Sequence, residues 1–145
     1  MNHPEVKYGQ TTLHIKAKHR GFELITNEVE QALSAMPSIH TGMAHLFLQH
    51  TSASLCISEN TCADVRADLE SFFNKLAPDD ARLYQHILEG EDDMPAHIKN
   101  VILGCNLSIP IHQGRLALGR WQGIYLCEHR NHSTERHILL TSHGI

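Results

Sequence analysis

The stretch LSIPIHQGRLALGRWQGIYLCEHRNHSTERHILLT, residues 107–141, decides the fold. It holds four strand candidates, Leu107 to Ile111, Arg115 to Leu118, Trp121 to His129 and Arg136 to Thr141, separated by glycine or polar turns. No regular strand–helix–strand alternation joins them. A largely antiparallel sheet packed by helices follows, which makes the chain an α+β domain rather than an α/β one.

Working outward, Val6 to Lys16 alternates in the manner of a long strand, and Arg20-Gly21 reads as a turn. Asn27 with Glu30 three residues on resembles a capping box, and Val29, Ala32, Leu33 and Met36 follow at helical spacing until Pro37 ends the helix. Met43 to His50 reads as a buried strand, and Leu55, Ile57 and Glu59 as a second. Val65, Leu69, Phe72, Phe73 and Leu76 give the clearest amphipathic helix. Leu83, Tyr84, Ile87 and Leu88 suggest a short helix that stops at Gly90. A further helix opens near Pro95, with Ile98, Val101 and Ile102 as its inner face and Gly104 as its cap.

The 145 residues suit one domain, 1–145, without linker, repeat or low-complexity tract. A net charge of -4 argues against a nucleic-acid surface, which needs clustered positive charge. No run approaches the ~20 apolar residues that cross a bilayer. Met1 to Glu5 has no signal-peptide pattern, so a cytoplasmic location is expected. Cys56, Cys62, Cys105 and Cys127 form no Cys-x-x-Cys pair and read as free thiols.

Thirteen histidines stand in the chain, several beside carboxylates and hydroxyls. Imidazole is the commonest protein metal ligand, so a metal or anion site is expected. In Gln49-His50-Thr51-Ser52-Ala53-Ser54, a strand-end histidine precedes small hydroxyls. The segment offers a ligand and anion donors, or a connection whose hydroxyls bond their own backbone. From His86 to His97, a helix opening at Met94 or Pro95 puts Asp93 at or near its N-cap, where free amides stabilise a carboxylate. Asp93 and His97 are four apart and share one side of the first turn. His86 precedes a Gly90 turn that would fold it back toward them. Two histidines and an acid suit zinc or another divalent ion.

Gly114 to Gly123 places Arg115 and Arg120 among glycines. It is either a phosphate-binding loop or a hairpin with Trp121 in the core. In Glu128-His129-Arg130-Asn131-His132, a solvated strand end and an acid/base role for Glu128 both stand. His3, His14, His19, His40, His137 and His143 have no local partners.

These motifs occur together, in order, between about Thr12 and Thr141: QHTSASL at 49–55, Glu59-Asn60, Glu89-Gly90, DDMPAHIK at 92–99, PIHQGR at 110–115 and WQGIYLCEHR at 121–130. The set closely resembles the YjbQ-like family, whose members are often labelled secondary thiamine-phosphate synthases. The resemblance implies an α+β homotrimer with a metal- and anion-binding site between subunits. It implies metal ligation by His50, His86 and His97, with Asp93 as a ligand or as a partner orienting a histidine. Thr51, Ser52, Ser54, Arg115, Trp121, Gln122 and Arg130 would bind an anionic substrate, and Glu128, His129 and Asp93 would serve catalysis. Two departures stand out. Cys62-Ala63 replaces the usual Asp-Pro, and Arg120 replaces the usual threonine before Trp121.

Three functions compete. The first, implied by the resemblance, is a transferase joining hydroxymethylpyrimidine diphosphate to thiazole phosphate with release of pyrophosphate, helped by zinc or magnesium. The second is a metal-dependent hydrolase. The third is a trimeric metal- or metabolite-binding protein without catalysis. The partners expected are a phosphorylated small molecule and further copies of the chain, with no membrane and no nucleic acid.

Overall fold

In a computed structural model describing residues 3–145, the chain forms two antiparallel sheets and three helices. Met1 and Asn2, included in the expected span and in the N-terminal reading, lie outside the described residues. The strands are β1 (Lys7–Lys16), β2 (Gly21–Leu24), β3 (Gly42–Leu48), β4 (Ala53–Glu59), β5 (Asn106–His112), β6 (Arg115–Leu116), β7 (Gln122–Glu128) and β8 (Glu135–Gly144). The helices are α1 (Thr26–Ser34), α2 (Ala63–Leu76) and α3 (Asp93–Leu103). One sheet has the order β1-β8-β3-β5-β6, the other β2-β7-β4.

Alternation along each strand decides what is buried. In the five-stranded sheet, Leu13, Ala44, Leu46, Leu48, Ile109, Ile111, Ile138 and Leu140 point inward. They meet Ala53, Leu55, Ile124 and Leu126 of the smaller sheet, while α1 contributes Val29. The other face of the smaller sheet carries α2 and α3: Phe22 and Tyr125 lie near the Phe73 side of α2, and Ser54 reaches the backbone of α3. β7 is therefore the central strand of the middle layer, buried on both faces from Gly123 to Glu128.

The expected strands appear, with a further short one at β2 where only a turn was read. Three details differ. Asn27 lies inside the first turn of α1, whose N-cap is Ile25, and makes no capping bond. The segment 83–88 is irregular beyond a 3-10 turn at Ala81–Leu83. α3 buries Asp93, Pro95, Ala96 and Lys99, while Val101 and Ile102 face outward. Small Ala96 lets the helix sit close to β4, and Lys99 then passes inward to donate to Asn74 Oδ1 at 2.7 Å. No helix among the described residues is long and apolar enough to cross a membrane.

Candidate functional site

The histidine cluster forms where α3 begins. Gly90, at φ 110°, turns the chain so that His86 meets the first turn of α3. Asp93 is 2% exposed, and its Oδ2 lies 2.6 Å from His86 Nε2 and 3.0 Å from His97 Nε2. Glu89 adds a carboxylate oxygen 3.4 Å from His86 Nε2. Donor atoms of His86, Glu89, Asp93 and His97 all lie within 4.8 Å of one another. Asp93 is the first residue of α3, yet its carboxylate turns to these side chains instead of capping the helix.

Arg130 fastens the acidic end of this group. Its guanidinium donates to Asp93 Oδ1, to Asp92 Oδ2 at 3.0 Å and to the Glu89 carbonyl at 2.9 Å. The Asn131 N–H adds a 2.8 Å bond to Asp92 Oδ2. Burial opposes the charge of both acids, but the Asn131 N–H and Arg130 overcome it for Asp92, and His86, Glu89, His97 and Arg130 for Asp93, so both lie below the ordinary carboxylate range. The hydrogen bond to Asp93 raises the pKa of His86, against a smaller effect of desolvation.

His97 is oriented from behind. Its Nδ1 lies 2.7 Å from the Thr51 carbonyl, an atom that can only accept, so Nδ1 carries the proton. In a neutral ring, Nε2 then presents a lone pair to a carboxylate oxygen 3.0 Å away. That contact is repulsive unless the ring is doubly protonated or a cation is shared between the two atoms. A backbone carbonyl holding the far nitrogen is the arrangement found behind metal-ligating histidines.

Other expected site residues go elsewhere. His50 Nε2 accepts the His137 backbone N–H at 2.9 Å, and its ring stands against His137, away from the cluster. Burial and the charge of Arg136 lower its pKa. Glu128 and His129, expected to transfer protons, are 0% and 1% exposed. Glu128 accepts from Arg136 Nε at 2.9 Å, from Arg136 Nη2 at 2.5 Å and from the Arg130 N–H at 3.2 Å. His129 Nε2 bonds Ser54 Oγ at 2.9 Å, and its Nδ1 has no partner. The Ser52 hydroxyl is taken by Arg136 Nη1 at 3.0 Å, while Thr51 serves through its carbonyl.

Arg115, Trp121 and Gln122 lie at the opposite end of β7. At about 3.3 Å per residue, Gln122 and Glu128 are roughly 20 Å apart along the strand. Arg115 and Gln122 line a separate cavity of about 780 Å³ with Thr26, Glu30 and Asn60. Trp121 is 56% exposed, with the Arg120 guanidinium 4.8 Å above its ring, so it is not a core residue. Within one chain, the expected anion-binding residues therefore divide between two places.

Arg136 is the residue that sequence reasoning missed. It shares the inward phase of β8 with Ile138, Leu140 and Ser142. A charge on that phase requires a buried partner, and Glu128 stands on the inward phase of β7 beside Ile124 and Leu126.

A small antiparallel α+β domain with a histidine–carboxylate cluster at the mouth of its helical layer is the class that fold and site define. The family model described as "UPF0047 protein YjbQ-like" matches residues 11–145. The UPF0047 protein YjbQ of Salmonella typhimurium is 52% identical over 135 residues, 93% of this chain and 97% of that one. A UPF0047 protein of Synechocystis, sll1880, is 45% identical over 118 residues, 81% of this chain and 80% of that one. Among solved structures, a YbjQ-like protein of unknown function from Sulfolobus solfataricus superposes with a TM-score of 0.86 at 25% identity, covering 97% of this chain and all of that one. The conserved hypothetical protein TT1486 from Thermus thermophilus gives 0.79 at 35%, covering 90% and 97%. The chain belongs to the UPF0047 YjbQ-like family.

The buried groups set two expectations for stability. Glu128→Gln leaves Arg136 buried without its countercharge and lowers unfolding stability by about 3–5 kcal/mol. Glu128→Leu with Arg136→Met recovers much of that loss; denaturant titration reads both. His129 is held neutral, chiefly by burial and then by the charge of Lys99, with its pKa lowered from 6.5 to about 3. The unfolded chain therefore binds this proton first as pH falls. Stability present above pH 6.5 is lost toward pH 3, by up to about 1.4 kcal/mol per pH unit. Urea midpoints across that range, compared with His129→Gln, show a flatter acid limb in the variant.

Proposed function

We propose that this chain is a divalent-metal-dependent enzyme acting on phosphorylated small molecules, with His86, Asp93 and His97 holding the ion. The observation that carries this reading is the proton count at His97, whose fixed Nδ1–H leaves the Nε2 lone pair facing Asp93. Two imidazoles and a carboxylate suit zinc, and Glu89 is placed to join them or to face the open position. A bound divalent ion would supply Lewis acidity toward a phosphoryl oxygen and lower the pKa of a bound water.

The protein's part is positioning. Thr51 sets the tautomer of His97, and Arg130 holds Asp93 Oδ1 so that Oδ2 faces the two rings. Glu128 and His129 are too buried to meet a substrate. Glu89, with its side chain 67% exposed, is the carboxylate that reaches solvent beside the cluster, and it takes over the proton-transfer role.

The family resemblance points to the transferase reaction. The C–O bond of hydroxymethylpyrimidine diphosphate would break, a C–N bond to thiazole phosphate would form, and pyrophosphate would leave. One observation favours hydrolysis as a second reading. Arg130 and Arg136 are spent on acids, so no unpaired guanidinium of these two is left for a diphosphate. Arg115 lies at the far end of β7.

A homotrimer, the assembly the resemblance implies, would give a neighbouring chain the chance to supply those cations. The outward apolar side chains Leu88, 97% exposed, and Val101, 81% exposed, support such burial.

Purified protein reconstituted with zinc or magnesium should hold about one ion per chain at this cluster, lost on His97→Ala or Asp93→Asn, by plasma emission analysis. Thiamine phosphate formed from the two phosphorylated precursors, above a His97→Ala background, supports the transferase. Chelator-sensitive turnover of phosphoesters alone supports the hydrolase. Unchanged metal content in both variants would remove the cluster from either reaction. Light scattering should return three times the 16.3 kDa chain mass, and a single-chain mass at micromolar concentration would rule out the trimer.

A further inference from the structure

Among the described residues, five histidines lie on the outward face of the five-stranded sheet. His14 on β1, His45 on β3, His112 on β5, and His137 and His143 on β8 all occupy the outward phase of their strands. His45 and His143 approach each other, Nε2 to Nε2, at 3.1 Å, and the Ser108 hydroxyl engages the other nitrogen of His45. His14, Glu135 and His137 form a different grouping, in which one ligand atom from each lies near the other two.

Strand register places them. His14 stands directly opposite His137 across the β1–β8 ladder. Side chains so paired have Cβ atoms about 4.5–5.5 Å apart. Glu135 is two residues before His137, hence on the same face. Its Oε2 lies 3.4 Å from His137 Nε2 and 3.7 Å from His14 Nδ1, and the three donor atoms lie within 4.8 Å of one another. The rings of His14 and His137 stand edge to face at 4.6 Å, and the His137 backbone is pinned by the bond from its N–H to His50 Nε2.

We propose that His14, Glu135 and His137 form a second divalent-cation site, for zinc or a similarly borderline ion, which clips the edge strand β1 to β8. The spacing supports coordination better than simple ion pairing. Hydrogen bonds between nitrogen and oxygen centre on about 2.9–3.0 Å. The edge of a tetrahedron of ligands about 2.0–2.1 Å from zinc is about 3.4 Å. Glu135 Oε2 sits at that edge length from His137 Nε2, at 3.4 Å, and slightly beyond it from His14 Nδ1, at 3.7 Å. Two imidazoles among three donors select zinc, nickel, copper or iron over magnesium and calcium, which prefer oxygen. The side chains are 43–59% exposed, so an ion can enter directly from solvent and keep a water as its fourth ligand.

This site shares no residue with the His86–Asp93–His97 cluster and does not depend on that cluster's function. Its flanking residue Arg136 points the opposite way, into the core. Its consequence is also different. An ion joining β1 to β8 binds the folded chain alone and stabilises it by mass action.

The test uses the full chain, stripped of metal and titrated with zinc chloride, with uptake followed by equilibrium dialysis and unfolding by circular dichroism. Wild type and His97→Ala should both take up the ion at this site and unfold at higher temperature when zinc is added. His14→Thr and Glu135→Gln are each made in the His97→Ala chain, so that the first cluster contributes no shift. His14→Thr keeps a side chain suited to a strand and should lose that ion and the thermal shift. Glu135→Gln, at the very start of β8, should weaken uptake by more than the roughly 10–100-fold that loss of an outer-shell partner costs. Should one variant fail to fold without zinc, the other carries the result. Equal zinc affinity and an equal thermal shift in His97→Ala and in the folded double variants would overturn the proposal.

Discussion

The buried ion pair between Glu128 and Arg136 is the constraint around which this fold is arranged. It joins the last residue of β7 to the inward face of β8, and so ties the two sheets together at one end of their shared core. Two charges there are tolerable only because their remaining valences are met. Arg136 spends its other donors on the Ser52 hydroxyl and carbonyl, and Glu128 also accepts the Arg130 N–H. Neither can move without releasing a polar group into the core. The turn at residues 50–53 and the end of β7 are fixed together as a result.

That fixation passes outward to the histidine cluster. Ser52 is held by Arg136, and its neighbour Thr51 presents the carbonyl that orients His97. Asn100 bonds the carbonyls of His50 and Ala53 from α3, locking the helix to the same turn. Arg130, two residues beyond Glu128, carries the constraint to Asp92 and Asp93. Behind α3, Arg20 gathers Asn74, Asp79 and Asn131 into a second network that also receives Lys99 through Asn74. The cluster is thus approached from three sides by groups whose positions the core determines.

Much of this was legible in the chain. The runs within 107–141 gave the antiparallel strands because glycine and polar turns bound each of them, even in β7, which is buried on both faces. The spacing of Asp93 and His97 gave their meeting because one helical turn dictates it. What failed needed information from outside the local window. Ile98, Val101 and Ile102 look like an inner face, but α3 turns Lys99 inward because Asn74 of α2 waits for its ammonium. His50 sits beside the small hydroxyls and looks like a ligand, yet a backbone N–H from β8 claims its nitrogen. His14 and His137 read as solitary because their neighbours lie at opposite ends of the chain. The motifs around Arg115 and Glu128 looked like one pocket because nothing in their spacing says that β7 runs straight between them.

The charge at the cluster favours the cation that the proposed function places there. Glu89, Asp92 and Asp93 bring three formal negative charges to one turn of α3 and its approach, and Arg130 returns one positive charge. Two negative charges remain if both imidazoles are neutral. Protonating His86 offsets one of them, and that is the direction in which Asp93 draws the His86 pKa. A divalent ion balances the same charge while leaving both imidazoles neutral, the form in which they ligate. In the proposed site protons and a metal would compete for that negative charge, and the carbonyl of Thr51 favours the metal by fixing His97 in the tautomer whose free nitrogen faces Asp93.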